Sequence, residues 1–134
     1  MTTRCPWLAG VLAFLLAGTV HAAADARRGE RVYARCLACH ALAYDRVGPR
    51  HCGLLGRQAG SVPGFAYSKA MKESRLIWDE KTLDRFLAHP VQVVPGTAMT
   101  YDGVPDAKDR GDLIAYLRQA SDLPECRNVQ PAKR

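Results

Sequence analysis

Cys36 and Cys39 are separated by Leu37 and Ala38, and His40 follows directly. Two thiols and an imidazole at this spacing suit three kinds of chemistry: covalent capture of a haem, dithiol–disulfide exchange, or zinc ligation. On a helical turn both sulfurs lie on one face, each in reach of a haem vinyl, and His40 comes under the iron as the proximal ligand. A thioredoxin-like dithiol needs a preceding strand in a βαβ context, and the flanking pattern contains none. Zinc needs a second ligand pair; Cys52 is one candidate member, without a companion at short spacing. The pentapeptide is read as the attachment signature for one covalent haem c.

An iron held by His40 needs a ligand on its other side. Pro95, Gly96, Thr97 and Ala98 form a tight turn before Met99 that would aim its side chain inward. A thioether favours Fe(II), so methionine opposite histidine raises the reduction potential. The plainer alternative for Met99 is core filling. Met71 sits in a different segment, and His51 and His89 are rivals by type. A solvent-exposed or structural role is expected for both histidines, and His51 is too near the attachment site to cross the ring easily.

These groups need elements to position them. Ala26 to Leu37 reads as a helix with Asp25 as N-cap, its acid at the positive end of the dipole. Ala41 to Pro63 is rich in Gly, Pro and Arg and reads as loop. Tyr67 to Glu73 suits a short helix. Asp79 to Ala88 is a firmer one, with Leu83, Phe86 and Leu87 at helical spacing and Pro90 ending it. Val91 to Gly103 reads as a second loop. Asp106 to Ala120 is the strongest helix, carrying the stripe Leu113, Ile114 and Leu117 beside Tyr116, and Pro124 closes it. Period-two alternation is nearly absent. The expected class is all-α: several short helices and long loops wrapped around one covalently bound haem. Loops this long in a compact domain imply something that organises them, and a rigid apolar cofactor would do so.

The 134 residues suit a single domain. Met1 to Arg4 carries one positive charge, Trp7 to Val20 is apolar apart from Gly and Thr19, and Ala22, Ala23 and Ala24 follow. This order reads as a secretory leader over residues 1–24, cleaved after Ala22 or Ala24, with an uncleaved anchor as the alternative. Residues 25–123 are then the domain and 124–134 a tail. Export implies a periplasmic, disulfide-permitting location. Loss of Arg4 leaves 18 basic against 13 acidic residues, a charge of +5. Basic residues dispersed among acids argue against nucleic acid as a partner, and steering toward an acidic partner is no better supported than an ordinary surface.

Over residues 25–123 the chain resembles mitochondrial-type class I cytochrome c and its bacterial relatives. Gly48, Pro49, Gly53, Leu54, Leu55, Gly56 and Arg57 match the family's G-P-x-x-x-G-L-x-G-R segment; Pro63 to Tyr67 and Trp78 match its next landmarks. Pro95, Gly96, Thr97 and Met99 match the axial-methionine loop, and Asp112 to Leu117 the last helix. The resemblance implies the cytochrome c fold, with Cys36 and Cys39 holding the haem and His40 and Met99 as axial ligands. It implies that the Pro49 carbonyl holds the other ring nitrogen of His40, and that Arg57, Tyr67 and Trp78 bond or neutralise a buried propionate. Phe86 and Tyr101 complete the expected haem environment. Gly29 and Tyr33 would meet Leu113 and Tyr116 where the first and last helices cross. The expected activity is one-electron transfer, not enzymic turnover, by a soluble monomer. Its partners would be redox proteins: a membrane quinol-oxidising complex, an oxidase, a reaction centre or a dehydrogenase. A dedicated haem c subunit of a dehydrogenase or oxidase is the alternative, ahead of an open-site haem enzyme or gas sensor. Cys5 leaves with the leader. Cys52 and Cys126 stand outside the haem pattern, and a bridge between them is expected, two free thiols being the alternative.

The departures from the family pattern carry information too. Lysines that ring the haem edge in mitochondrial members are replaced by Val91, Gln92 and Ala98, while Arg35 remains. Phe86 stands where the family commonly has Tyr, and Met71 where it has a polar Asn. Both polar groups are missing, so Met99 should be less hydrogen-bonded and the potential altered. A Phe86→Tyr variant should therefore shift the potential measured by redox titration; an unchanged value would count against this reading.

Overall fold

The computed structural model describes residues 23–129; the expected leader up to Ala22 and residues 130–134 of the tail lie outside that range. Among the described residues five helices form: α1 (Ala26–Tyr33), α2 (Lys69–Glu73), α3 (Glu80–Ala88), α4 (Pro90–Val93) and α5 (Ala107–Ala120). Short 3-10 turns follow α1 at Ala34–Cys36 and α5 at Pro124–Cys126. Long irregular stretches join them, and the one β feature is an isolated antiparallel bridge between Gln58 and Ile77. No described helix is long and apolar enough to cross a membrane.

Most helix starts are fixed by side chains that satisfy otherwise unpaired N–H groups. Asp25 accepts from the Arg27 and Arg28 amides at 2.9 and 3.3 Å. Ser68 accepts from Met71 at 3.2 Å, Asp79 from Thr82 at 2.6 Å, and Asp106 from Asp109 at 2.8 Å. The Ser68 cap starts α2 at Lys69, two residues later than the pattern suggests. The first helix tightens into a 3-10 turn after Tyr33, so Cys36 closes that turn and Leu37 caps it. The region 91–103 is not wholly loop as expected. Pro90 ends α3 and then opens α4 as its first residue, because its fixed φ suits a first helical turn and that position requires no N–H.

The α1–α5 crossing holds the two ends of the domain together. A Cβ on Gly29 would fall 1.9 Å from the Asp112 carbonyl oxygen and 2.8 Å from Tyr116 Cβ, so only glycine allows this approach. Asp112 and Tyr116 are thus the residues of α5 that press on Gly29, with Leu113 in the core beside Val32 and Tyr33. Tyr33 stacks at a tilt on Tyr116, ring centroids 5.2 Å apart. Beneath them lies one apolar core that includes Val32, Leu83, Phe86, Leu87, Leu113 and Leu117. Asp112 is only 1% exposed. Burial alone would raise its pKa, but the Asp25 amide at 2.7 Å, Lys108 at 3.0 Å and Arg28 at 3.2 Å outweigh that and hold it below the ordinary carboxylate range.

Cys52 and Cys126 form a disulfide with their Cα atoms 5.3 Å apart, pinning the 41–63 loop to the chain beyond α5. Both sulfurs are buried. Nearby, the Gly53 amide donates to Ser121 Oγ at 3.1 Å, a second tie between the same two segments. Replacing both cysteines with alanine should lower the unfolding free energy by about 2–4 kcal/mol, measured by denaturant titration. Intact mass should rise by two hydrogens on reduction of the native chain, and no rise would mean free thiols.

Candidate functional site

The attachment pentapeptide is a closed turn. The amides of Cys39 and His40 both donate to the Cys36 carbonyl, at 3.0 and 2.8 Å. The chain then reverses: the Gly48 amide donates to the Cys39 carbonyl at 2.7 Å, and Arg46 reaches the Leu37 carbonyl at 2.6 Å. This reversal brings Pro49 against His40, whose Nδ1 lies 2.8 Å from the Pro49 carbonyl oxygen. Since a carbonyl only accepts, Nδ1 carries the proton and Nε2 keeps its lone pair for a metal. Burial, opposed by this bond and reinforced by Arg57, lowers the His40 pKa and keeps the ring in the ligating neutral form. Gly48 is needed here, because a Cβ would sit 2.2 Å from His40 Cε1.

Cys36 is partly buried, Cys39 is exposed, and neither is bridged. Burial pushes the Cys36 thiol up to about 11. His89 is exposed at the end of α3, away from any ligating role. Met99 is partly buried against the core, its amide donating to Thr97 Oγ1 at 3.2 Å, and Tyr101 packs against the same cluster. Met71 is buried on α2. Trp78 and Phe86 meet with ring centroids 4.9 Å apart, both at most 7% exposed.

Arg57 is 4% exposed, and its guanidinium donates to two main-chain carbonyls, Cys52 at 3.2 Å and Arg50 at 2.9 Å. No carboxylate among the described residues pairs with it, and burial lowers its pKa. Tyr67 accepts from the Val62 amide at 3.4 Å, leaving its own hydrogen to donate, and burial raises its pKa so that it stays a neutral phenol. A buried cation without a countercharge is costly. The propionate of a haem would supply that charge beside Arg57. Two unbridged thiols, one oriented Nε2 and one uncompensated buried guanidinium make this donor set fit haem c.

His51 was open in the sequence to an exposed or a structural role, and the structure gives it a structural one. Its ring stacks on His40, centroids 4.2 Å apart and planes 23° apart, and its Nδ1 lies 3.1 Å from the Tyr33 hydroxyl. Burial, then His40 and Arg57, hold its pKa well below the usual imidazole value. Tyr33, read only as a helix-crossing residue, thus also reaches the site. The available signal was the position of His51 two residues after Pro49, in a segment expected to fold back on His40.

The family described as Cytochrome c matches residues 26–121 of this chain. Cytochrome c2 of Rhodomicrobium vannielii is 45% identical over 108 residues, covering 78% of this chain and 86% of its own. Cytochrome c2 of Blastochloris viridis is 43% identical over 111 residues, covering 79% and 87%. The solved structure of cytochrome cH from Methylobacterium extorquens superposes with a TM-score of 0.70 at 44% identity, covering 71% of this chain and 98% of that one. Family match, identity and fold agree, and the chain therefore belongs to the cytochrome c family, electron-transfer proteins that carry one covalently bound haem c.

Proposed function

We propose that this chain is an exported, soluble, periplasmic carrier that passes single electrons between redox proteins, with Cys36 and Cys39 as thioether anchors and His40 and Met99 as axial ligands. The observation that carries this reading is the His40–Pro49 bond, which aims a neutral Nε2 from the turn that bears both thiols. The bound haem supplies the one-electron couple. The protein's part is to hold it and to keep its surroundings unchanged between oxidation states. Pro49 fixes the tautomer of His40. Met71, Trp78 and Phe86 are buried and exclude water from the core they share. Arg57 and Tyr67 offer a cation and a donor for a propionate. With both axial positions filled, no site remains for substrate, and outer-sphere transfer is the chemistry left.

The leader pattern in residues 1–24 and the cytochrome c2 relatives support the periplasmic assignment. Purified oxidised protein should show the weak near-infrared sulfur-to-iron band and bind cyanide slowly. Met99→Ala should lose the band and bind cyanide fast. A wild-type protein without the band, open to cyanide, would refute the closed carrier and favour a haem enzyme or gas sensor.

The partner surface follows from charge. Arg35, the basic residue retained near the attachment turn, pairs with Asp109 at 3.2 Å, and Arg28 pairs with Asp109 at 3.0 Å and with Asp112. Val47 and Val91 are exposed apolar residues, at 80% and 58%. Docking that leans on such a surface is screened little by salt. Electron-transfer rates with an isolated periplasmic oxidase or dehydrogenase should change little with ionic strength, and a steep fall would show charge-steered docking instead.

A further inference from the structure

We propose that His51 is a positioning residue for the axial imidazole: its stacked ring fixes the plane of His40, and Tyr33 holds His51 in place. This rests on His40 being the iron ligand.

The bond from His40 Nδ1 to the Pro49 carbonyl holds one atom of the ring, and a single contact does not by itself define the plane of the ring. A second flat ring at 4.2 Å and 23° defines it, since rocking would drive the two faces together. His51 can serve as a reference plane because it is itself held on three sides. Its amide donates to the Ala41 and Leu42 carbonyls at 3.1 and 3.0 Å. The next residue, Cys52, donates to Leu42 at 2.8 Å and is bridged to Cys126. Its ring bonds the hydroxyl of Tyr33, which is 3% exposed at the α1–α5 crossing and lies edge-on to the His51 ring, centroids 5.7 Å apart. An aliphatic residue could fill the same volume. It could not set a plane or bond the Tyr33 hydroxyl.

The plane of the axial imidazole, together with the direction of the methionine sulfur lone pair opposite it, decides which iron d orbital holds the unpaired electron of the oxidised, low-spin protein. With the methionine unchanged, turning the imidazole changes the pattern of haem methyl resonances in the proton NMR spectrum, which packing alone does not set. Outer groups that orient a ligand tune a metal in this way.

The test uses the holoprotein in its oxidised form. His51→Leu should change the order of the haem methyl resonances, Tyr33→Phe should move them in the same direction but by less, and His51→Phe should restore the order with a residual shift like that of Tyr33→Phe, since both keep a flat ring and lose the same bond. A wild-type order in His51→Leu, or a failure of His51→Phe to restore it, would overturn the proposal. If His51→Leu does not fold, Tyr33→Phe decides, and unchanged resonances there would overturn it. A wild-type spectrum lacking the shifted methyl set of a low-spin His/Met iron would instead overturn the ligand assignment itself.

Discussion

The contact between His40 Nδ1 and the Pro49 carbonyl is the constraint around which the chain is arranged. For the two to meet, the backbone must reverse within nine residues, and the Gly48 amide bonded to the Cys39 carbonyl makes that reversal. Once reversed, the loop carries His51 onto the face of His40, Cys52 to its bridge and Arg57 into the interior. Loosening the Pro49 contact would therefore disturb the His40 ring, the staple and the buried charge together.

Two buried charges in the fold are handled in opposite ways. Asp112 is surrounded by an amide and two cationic side chains, so its charge is satisfied within the protein and locks α1 to α5. Arg57 donates to two carbonyl oxygens, which solvate a cation but do not neutralise it, and feels Asp45 without pairing with it. A protein tolerates such an imbalance where a ligand brings the missing charge. The contrast separates a structural ion cluster from a binding residue better than burial does, because both residues are nearly inaccessible.

The site was legible in the sequence to the degree that its chemistry is local. C-x-x-C-H is set by spacing, and Asp25 announces itself as a short acidic residue before a helical segment, whereas Ser68, read as part of its helix, proved to be the cap. The α3–α4 junction was less legible, because Pro90 both stops one helix and starts another and a stop signal reads the same in either case. Gly29 was legible as a close-approach residue, and Tyr116 as a partner across the crossing; the closeness of the Asp112 carbonyl was not, because it depends on the rotation of α5. His51 was the least legible, since its one local signal, a place two residues after Pro49, does not distinguish an exposed loop histidine from one stacked on His40. Its role comes from Tyr33 on a distant helix.

The four cysteines of the described chain also make opposite demands on the chemistry of their compartment. Cys52 and Cys126 must lose hydrogens to form their bridge, while Cys36 and Cys39 must keep theirs until each adds to a vinyl group. Four cysteines admit three ways of forming two bridges, and the native arrangement is none of them. Burial helps to keep the two chemistries apart. Burial pushes the Cys36 thiol up to about 11, which disfavours its thiolate, while Cys39 stays exposed. The sulfurs of the bridge are themselves shielded from attack. Maturation of this chain is thus a problem of sulfur bookkeeping, solved partly by where the fold hides each atom.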